Sequence, residues 1–308
     1  MKLIGLMHVR NERWVLGLSL PAALELVDEI IVLDHDSSDE TPEIITSCAQ
    51  RFPGRVHSII WTGRHYNEIA IRQRLLEEGR SRAGTHYFMI DADEVVTGHS
   101  VELVRSAMAE LTPGEGLELP WPAMWGSLER YRHDASVWSE NFLVFGFADR
   151  DGVEYRPLRD GYDVHGQVPR GLEKRRARPI ASEVDGGVMH LQFANRRRLL
   201  AKHVWYKMHD TVRFPGRETP EELESRYSQM IDETGLAVRE APREWWARYG
   251  SLRERVRLDD HPWHEDEILR LWEEHGPATF AGLRLFGLVE RGQRGLGPDG
   301  EPFRARAG

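Results

Sequence analysis

The chain has 308 residues, 40% of them hydrophobic and 30% charged, and carries a formal net charge of -9 at pH 7. That length can bury a core as one large domain, or as a main domain with an appendage, without disulfide or metal staples. The negative balance opposes an electrostatic nucleic-acid binder, which needs a basic surface to displace counterions from phosphates. Over the first 120 residues short apolar runs alternate with helical patterns, which predicts a mostly parallel sheet with helices on its faces. The predicted strands are Leu3–Met7, Glu29–Leu33, Val56–Trp61, Tyr87–Ile90 and Leu117–Pro120. A helical pattern from Glu12 contains Pro21 and is expected to break there. A clearer helix starts at Thr41, read as a threonine cap followed by Pro42 and by Glu43 in the positive first turn. Asn67–Arg82 and Ser100–Leu111 follow the same pattern.

After about residue 121 the chain becomes tryptophan-rich and β-like, with Val137–Phe147 and Val153–Tyr155 separated by the turn residues Asp149–Gly152. Helical patterns resume at Asn195–His209, at Pro220–Glu233 behind a Thr219 cap, and at Glu265–Glu274. The tail from Arg291, with Gly-Pro-Asp-Gly and scattered arginines, is expected to be poorly ordered. The single cysteine, Cys48, excludes an internal disulfide and a cysteine-built zinc site and points to a reducing compartment. Met1–His8 is too short for a signal peptide and no stretch approaches the ~20 apolar residues of a spanning helix. A cytoplasmic protein without a transmembrane segment is expected, with peripheral membrane attachment and a homodimer left open.

The segment His86–Glu94 runs an apolar strand straight into the acidic group Asp91, Asp93 and Glu94. Ligands of parallel sheets bind beyond the carboxyl ends of the strands, so these carboxylates stand where a ligand would. Two aspartates one residue apart can face one point, and Mg²⁺ or Mn²⁺ takes one or two such carboxylates while phosphates and water complete its shell. The plain alternative is a solvated loop that caps the next helix. Two further polar clusters follow strands of the same sheet: Met7–Glu12, which contains His8, Arg10, Asn11 and Glu12, and Asp34–Thr41. For Asp36, Ser37 and Ser38, turn chemistry is as good a reading as ligand contact.

With Asn11-Glu12, Asp34-x-Asp-Ser-Ser-Asp-x-Thr41, Arg72 and Ile90-Asp-Ala-Asp-Glu94 in this order, the sequence resembles the family 2 glycosyltransferases of the GT-A fold over residues 2–125, and more weakly to about 210. The resemblance implies an α/β, Rossmann-like mostly parallel sheet flanked by helices. Residues 1–125 would form the nucleotide-sugar-binding half, 126–215 a β-rich acceptor half, 216–290 a helical appendage and 291–308 a tail. It implies donor-site roles for His8, Arg10, Asn11, Glu12, Asp34, Asp36, Arg72, Asp91 and Ala92, with Asp91 and Asp93 holding Mn²⁺ or Mg²⁺. His190, which ends the apolar run Gly186–His190, would be a third metal ligand, and Lys202 and Tyr206, four apart on one helical face, would follow it, Lys202 as a further donor-binding residue closing over the nucleoside diphosphate. Arg196, Arg197 and Arg198 read better as a solvated basic face. His35 stands where an acidic base-reading residue is common, so UDP-type and GDP-type donors both stay open.

Inverting transfer needs a base beside the acceptor hydroxyl. Relatives of this type often carry a His-Glu pair, but here Gly166 follows His165. The candidates are Asp163, His165 and Glu140, each equally readable as an ordinary loop residue. Trp121, Trp125 and Trp138 could line the site of a carbohydrate or other hydroxyl acceptor, or fill the core, whereas Trp245 and Trp246 read as packing. The function so implied is metal-dependent transfer of a sugar from a nucleotide-diphosphate sugar to a hydroxyl, with inversion. Alternatives are a catalytically inactive sugar- or nucleotide-binding module and a sugar-phosphate nucleotidyltransferase, whose glycine-rich loop after the first strand this chain lacks. As a rim carboxylate, Asp93 is expected to be replaceable by alanine without cost to the fold.

Overall fold

The structure, a computed structural model, describes residues 1–62, 66–136, 139, 142–157, 166–177 and 186–293. In chain order it comprises β1 (Leu3–Val9), α1 (Leu16–Ala23), β2 (Glu29–Asp34), α2 (Thr41–Arg51), β3 (Val56–Ile60), α3 (Glu68–Ser81), β4 (His86–Met89), β5 (Glu94–Val96), α4 (Val101–Ala109) and β6 (Glu115–Pro120). The second half adds β7 (Arg130–Arg132), β8 (Phe142–Ala148), β9 (Lys174–Ala177), β10 (Val188–His190), α5 (Arg196–Arg213), α6 (Pro220–Ser228) and β11 (Val238–Glu240). Four helices close it: α7 (Arg243–Trp246), α8 (Gly250–Arg253), α9 (His264–His275) and α10 (Leu288–Gln293).

Seven strands form one sheet in the order β3-β2-β1-β4-β8-β6-β9. The first four are parallel, β8 runs antiparallel to both β4 and β6, and β9 is parallel to β6. The result is a mixed, Rossmann-like α/β sheet flanked by helices. Side chains alternate between its faces with period two. Leu3, Met7, Ile30, Val32 and Phe88 pack on the side of α1, α2 and α4, against Leu16, Ile45 and Val104. Ile4, Leu6, Ile31, Leu33, Tyr87 and Met89 pack on the other side, against Ile71, Leu75 and Leu76 of α3. Both faces being covered explains why these strands read as continuous apolar runs. A separate cluster joins Ala201, Val204 and Met208 of α5 to Ile268 and Leu271 of α9 and to Phe280 and Leu288.

Three local expectations need correction. Pro21 lies inside α1 and does not end it, since the helix runs on to Ala23. With only eight residues, this helix offers the proline few interior bonds to remove. Thr41 is the first helical residue of α2 and not its cap: the cap position is Glu40, and the Thr41 hydroxyl accepts the Glu12 amide at 2.8 Å. The continuous strand read over Val137–Phe147 is ordered as β8 from Phe142, and residues 137, 138, 140 and 141 lie outside the described residues. The Thr219 cap of α6 is observed as a full capping box with Glu222.

Candidate functional site

The exits of β1, β2 and β4 share one rim because these strands are parallel neighbours. At the first two exits the backbone must turn sharply, and it does so through Asn11 (φ 53°) and Asp36 (φ 54°), residue types that tolerate the left-handed region. The two turns are stitched together: Asn11 N–H donates to Ser37 Oγ at 2.9 Å, Ser38 N–H to Asn11 Oδ1 at 2.7 Å, and Ser37 N–H to Asp34 Oδ1 at 3.1 Å. Asn11, Asp34, Ser37 and Ser38 therefore build the loop that shapes the rim. Inside it, His8, His35 and Tyr66 gather with ring centroids 5.6–6.3 Å apart, His35 and Tyr66 being stacked. Burial, then the nearby His35 and Arg72, hold the His8 imidazole well below its usual pKa, so it presents a neutral aromatic surface.

At the β4 exit the acidic group splits by partner. Asp91 faces Arg72, whose Nη2 lies 3.1 Å from Oδ1, while Arg72 Nε donates to Glu68 Oε1 at 2.8 Å. Burial would lower the guanidinium's pKa, but Asp91 and Glu68 outweigh it. Asp93 turns the other way. It is 5% exposed, with Lys202 Nζ at 3.2 Å and His190 Nε2 at 3.5 Å from its Oδ2. Burial pushes the Asp93 carboxyl up, yet Lys202 and His190 more than offset this and hold it ionised far below the usual carboxylate range. Glu94 supports the turn from behind, accepting the Asp91 amide at 2.7 Å and Trp121 Nε1–H at 2.9 Å.

His190 arrives from distant sequence because β10 pairs antiparallel with β5, setting His190 opposite Glu94. Gly187 permits this approach: at φ +152°, any Cβ there would collide with the Pro120 carbonyl oxygen. Trp121 stacks on the His190 ring at 4.2 Å, so this tryptophan orients the imidazole. Lys202 and Tyr206 come from one face of α5, as their spacing predicts.

Two adjoining cavities result. One of about 80 Å³ is lined by His8, Arg10, Glu12, Ala92, Asp93 and Trp263, among others. A second of about 300 Å³ is lined by Glu68, Trp121, Gln192, His203, His209 and Tyr227, among others. Tyr66, Arg72, Asp91, Lys202 and Tyr206 border both. The structure thus brings together His8, Arg10, Glu12, Arg72, Asp91, Ala92, Asp93, His190 and Lys202. Asn11, Asp34 and Asp36 stand one layer behind, in the loop. Asp163, His165, Glu140 and Trp138 lie outside the described residues. Sequence reading missed Tyr66, Glu68, Gln192, His203, His209, Asp210 and Trp263. For His209 a signal existed, since it continues the Lys202–Tyr206 face of α5, whereas Tyr66 carries none.

The expectation of a solvated Arg196–Arg198 face holds for Arg196, which is exposed, and is corrected for Arg197 and Arg198. Arg198 is 3% exposed and lies over the Trp14 ring at 4.2 Å. Arg197 holds both Glu265 oxygens, at 2.7 and 2.8 Å, and Arg196 pairs with Glu233. These arginines dock the carboxy-terminal segments onto α5.

Among the described residues no three His, Cys, Asp or Glu side chains are gathered into a metal cluster. The donor chemistry for a hard cation is nonetheless present as a pair. Asp93 is kept ionised, and burial lowers the His190 pKa against the opposing pull of Asp93, so the imidazole is neutral. Neutral imidazole and carboxylate are the ligand forms a metal needs, and two protein ligands suffice where phosphates complete the shell. Asp93 would be the first residue to hold an ion, with His190 available only once its Nε2 gives up the proton that faces Asp93 and Asp91 only if it swings from Arg72.

Glu12 yields a pH prediction. Its carboxyl accepts Trp14 Nε1–H at 2.5 Å, and burial, reinforced by Asp93, pushes its pKa from an ordinary 4.5 up to about 8. The folded chain therefore binds the extra proton between these values, and the contribution to stability is full below pH 4.5 and lost as pH rises through 8. Glu12→Gln is expected to flatten stability against pH in that window, measured by urea unfolding. A slope identical to that of the unaltered protein would contradict the assignment.

No family model and no curated protein sequence matches the chain. Among solved structures it is similar to residues 1–349 of Staphylococcus aureus TarS in complex with UDP, with TM-score 0.42 and 9% identity, over 96% of this chain and 92% of that one. A mannosyltransferase, PcManGT from Pyrobaculum calidifontis, in complex with GDP-Man and Mn²⁺, gives TM-score 0.40 and 13% identity over 95% and 79%. Glucosyl-3-phosphoglycerate synthase from Mycobacterium tuberculosis, with Mg²⁺ and UDP, gives TM-score 0.26 and 18% identity over 40% and 43%. These overlaps are low, and the chain's function is read from its own residues. Among the described residues no helix is long and apolar enough to cross a membrane.

Proposed function

We propose that this chain is a GT-A type glycosyltransferase that moves a sugar from a nucleotide-diphosphate donor to an acceptor hydroxyl with inversion. The observation that carries the reading is the meeting of Arg72, Lys202, Asp91, Asp93 and His190 where the two cavities join, at the exits of parallel strands. Two fixed cations beside two carboxylates suit a diphosphate with its counterion. His8, His35 and Tyr66 form an aromatic recess for the base at the β1 and β2 exits. Arg72 presents planar N–H groups to phosphate oxygens, and Lys202 adds a point charge. Both offset the charge that grows on the departing diphosphate, in a site where burial makes such interactions strong. Asp93, with His190, would hold a Mn²⁺ or Mg²⁺ ion, which would supply Lewis-acid charge to the departing diphosphate. The 300 Å³ cavity then houses the sugar and the incoming hydroxyl.

The test is release of nucleoside diphosphate from UDP-glucose, UDP-N-acetylglucosamine and GDP-mannose with and without Mn²⁺. Turnover with at least one donor, lost on chelation, is expected. Turnover unchanged by chelation would mean that Lys202 and Arg72 balance the diphosphate alone. Tight binding with no turnover of any donor would mark a binding module.

A further inference from the structure

The described groups that border the 300 Å³ cavity and could accept a proton are Glu68, Asp91, His190, His203, His209 and Asp210. Glu68 and Asp91 are both held by Arg72. His190 is stacked on Trp121 beside Asp93. His203 is 1% exposed, and burial, then Lys202, lower its pKa to about 3, too weak a base at neutral pH. Asp210 accepts Tyr227 Oη–H at 2.6 Å through Oδ2 and lies 3.2 Å from His209 Nδ1 through Oδ1. A carboxylate only accepts, so this contact places the His209 proton on Nδ1 and leaves the lone pair on Nε2. Tyr227 in turn stacks on Tyr206 at 5.4 Å and 10°, fixing Asp210 from α6. His209 thus has the carboxylate-held imidazole arrangement of a general base.

Its position on α5 agrees. His209 follows Lys202 by seven residues, so the two stand about 10 Å apart along the helix. A sugar held with its diphosphate at Lys202 needs three successive spans of about 3 Å to reach a base: phosphate to anomeric carbon, anomeric carbon to acceptor oxygen, and that oxygen to the base.

Resting on the transferase reading, we infer that His209 is the catalytic base and that Asp210 is its positioning residue. The acceptor oxygen forms its bond to the anomeric carbon as the bond from that carbon to the diphosphate oxygen breaks. The bonding pair leaves with the nucleoside diphosphate, and the acceptor's proton passes to His209 Nε2 and then to water.

The experiment measures nucleoside diphosphate release, with water as acceptor, for the unaltered chain, His209→Gln, His209→Ala and Asp210→Asn. Donor affinity is measured in parallel as the control for folding. His209→Gln is expected to lose about 10²–10⁴-fold in kcat with donor affinity kept, as for removal of a general base. Added imidazole should restore part of the rate of His209→Ala, and Asp210→Asn should lower kcat while adding little in the double variant with His209→Gln. A His209→Gln rate within threefold of the unaltered chain would overturn the inference alone. So would loss of donor binding and turnover together, which marks a structural role. Absence of turnover and of nucleoside diphosphate binding in the unaltered chain would overturn the transferase reading and this inference with it.

Discussion

Asp93→Asn is expected to lower affinity for nucleoside diphosphate in Mn²⁺ by at least about 100-fold, the scale set by disturbing metal-site ligands and their supports. The carboxylate is ionised and shared by Lys202 and His190. An amide of the same size keeps a hydrogen bond for Lys202 but offers no charge to a cation. Asp93→Ala is expected to cost stability, unlike the outcome expected from sequence, because Asp93 is buried rather than on an open rim. Removing it strands the Lys202 ammonium in a low-dielectric site, a loss of about 3–5 kcal/mol for one partner of a buried pair. Urea unfolding of the two variants separates the effects: both lose the counter-charge, but Asn keeps an acceptor for Lys202 and should unfold above Ala. Equal midpoints would show that the Lys202–Asp93 contact contributes nothing to the fold.

Arg72→Met is the second large effect. Arg72 and Glu68 are each 6% exposed and bonded at 2.8 Å, with Asp91 on the other side of the guanidinium. Truncating the charge takes the cation away from the buried Glu68 carboxylate, which keeps the Gly166 amide at 3.3 Å, costing about 3–5 kcal/mol, and removes transition-state charge compensation worth about 10²–10³ in kcat. Arg72→Met combined with Glu68→Gln should recover much of the stability and none of the rate, because only the stranded carboxylate is relieved. Recovery of both would assign Arg72 to the scaffold alone.

These residues also show what the sequence could and could not disclose. The strands β1, β2 and β4 were legible because apolar runs buried on both faces end in polar clusters, and the rim carboxylates follow from that. The Lys202–Tyr206 face was legible from helical spacing. Pairing was not: β8 lies between β4 and β6, a choice made by contacts distant in sequence. The same applies to Asp93, whose neighbours Lys202 and His190 are about a hundred residues away. Sequence shows an acidic pair but not which carboxylate takes which cation. Arg197 and Arg198 read as solvated for this reason, since their partners Glu265 and Trp14 come from other elements. Asp36 could be read as a ligand or as a turn former, and the left-handed backbones of Asn11 and Asp36 show that both residues make turns.

The measurement that bears most directly on this account is calorimetric titration of UDP and GDP into the unaltered chain and Asp93→Asn, with Mn²⁺ and with chelator. The expected result is binding of one nucleotide by the unaltered chain in Mn²⁺, sharply weakened by chelator and by the substitution alike. Binding of equal strength in all four conditions, or no binding of either nucleotide, would contradict a cation-bridged diphosphate at Asp93.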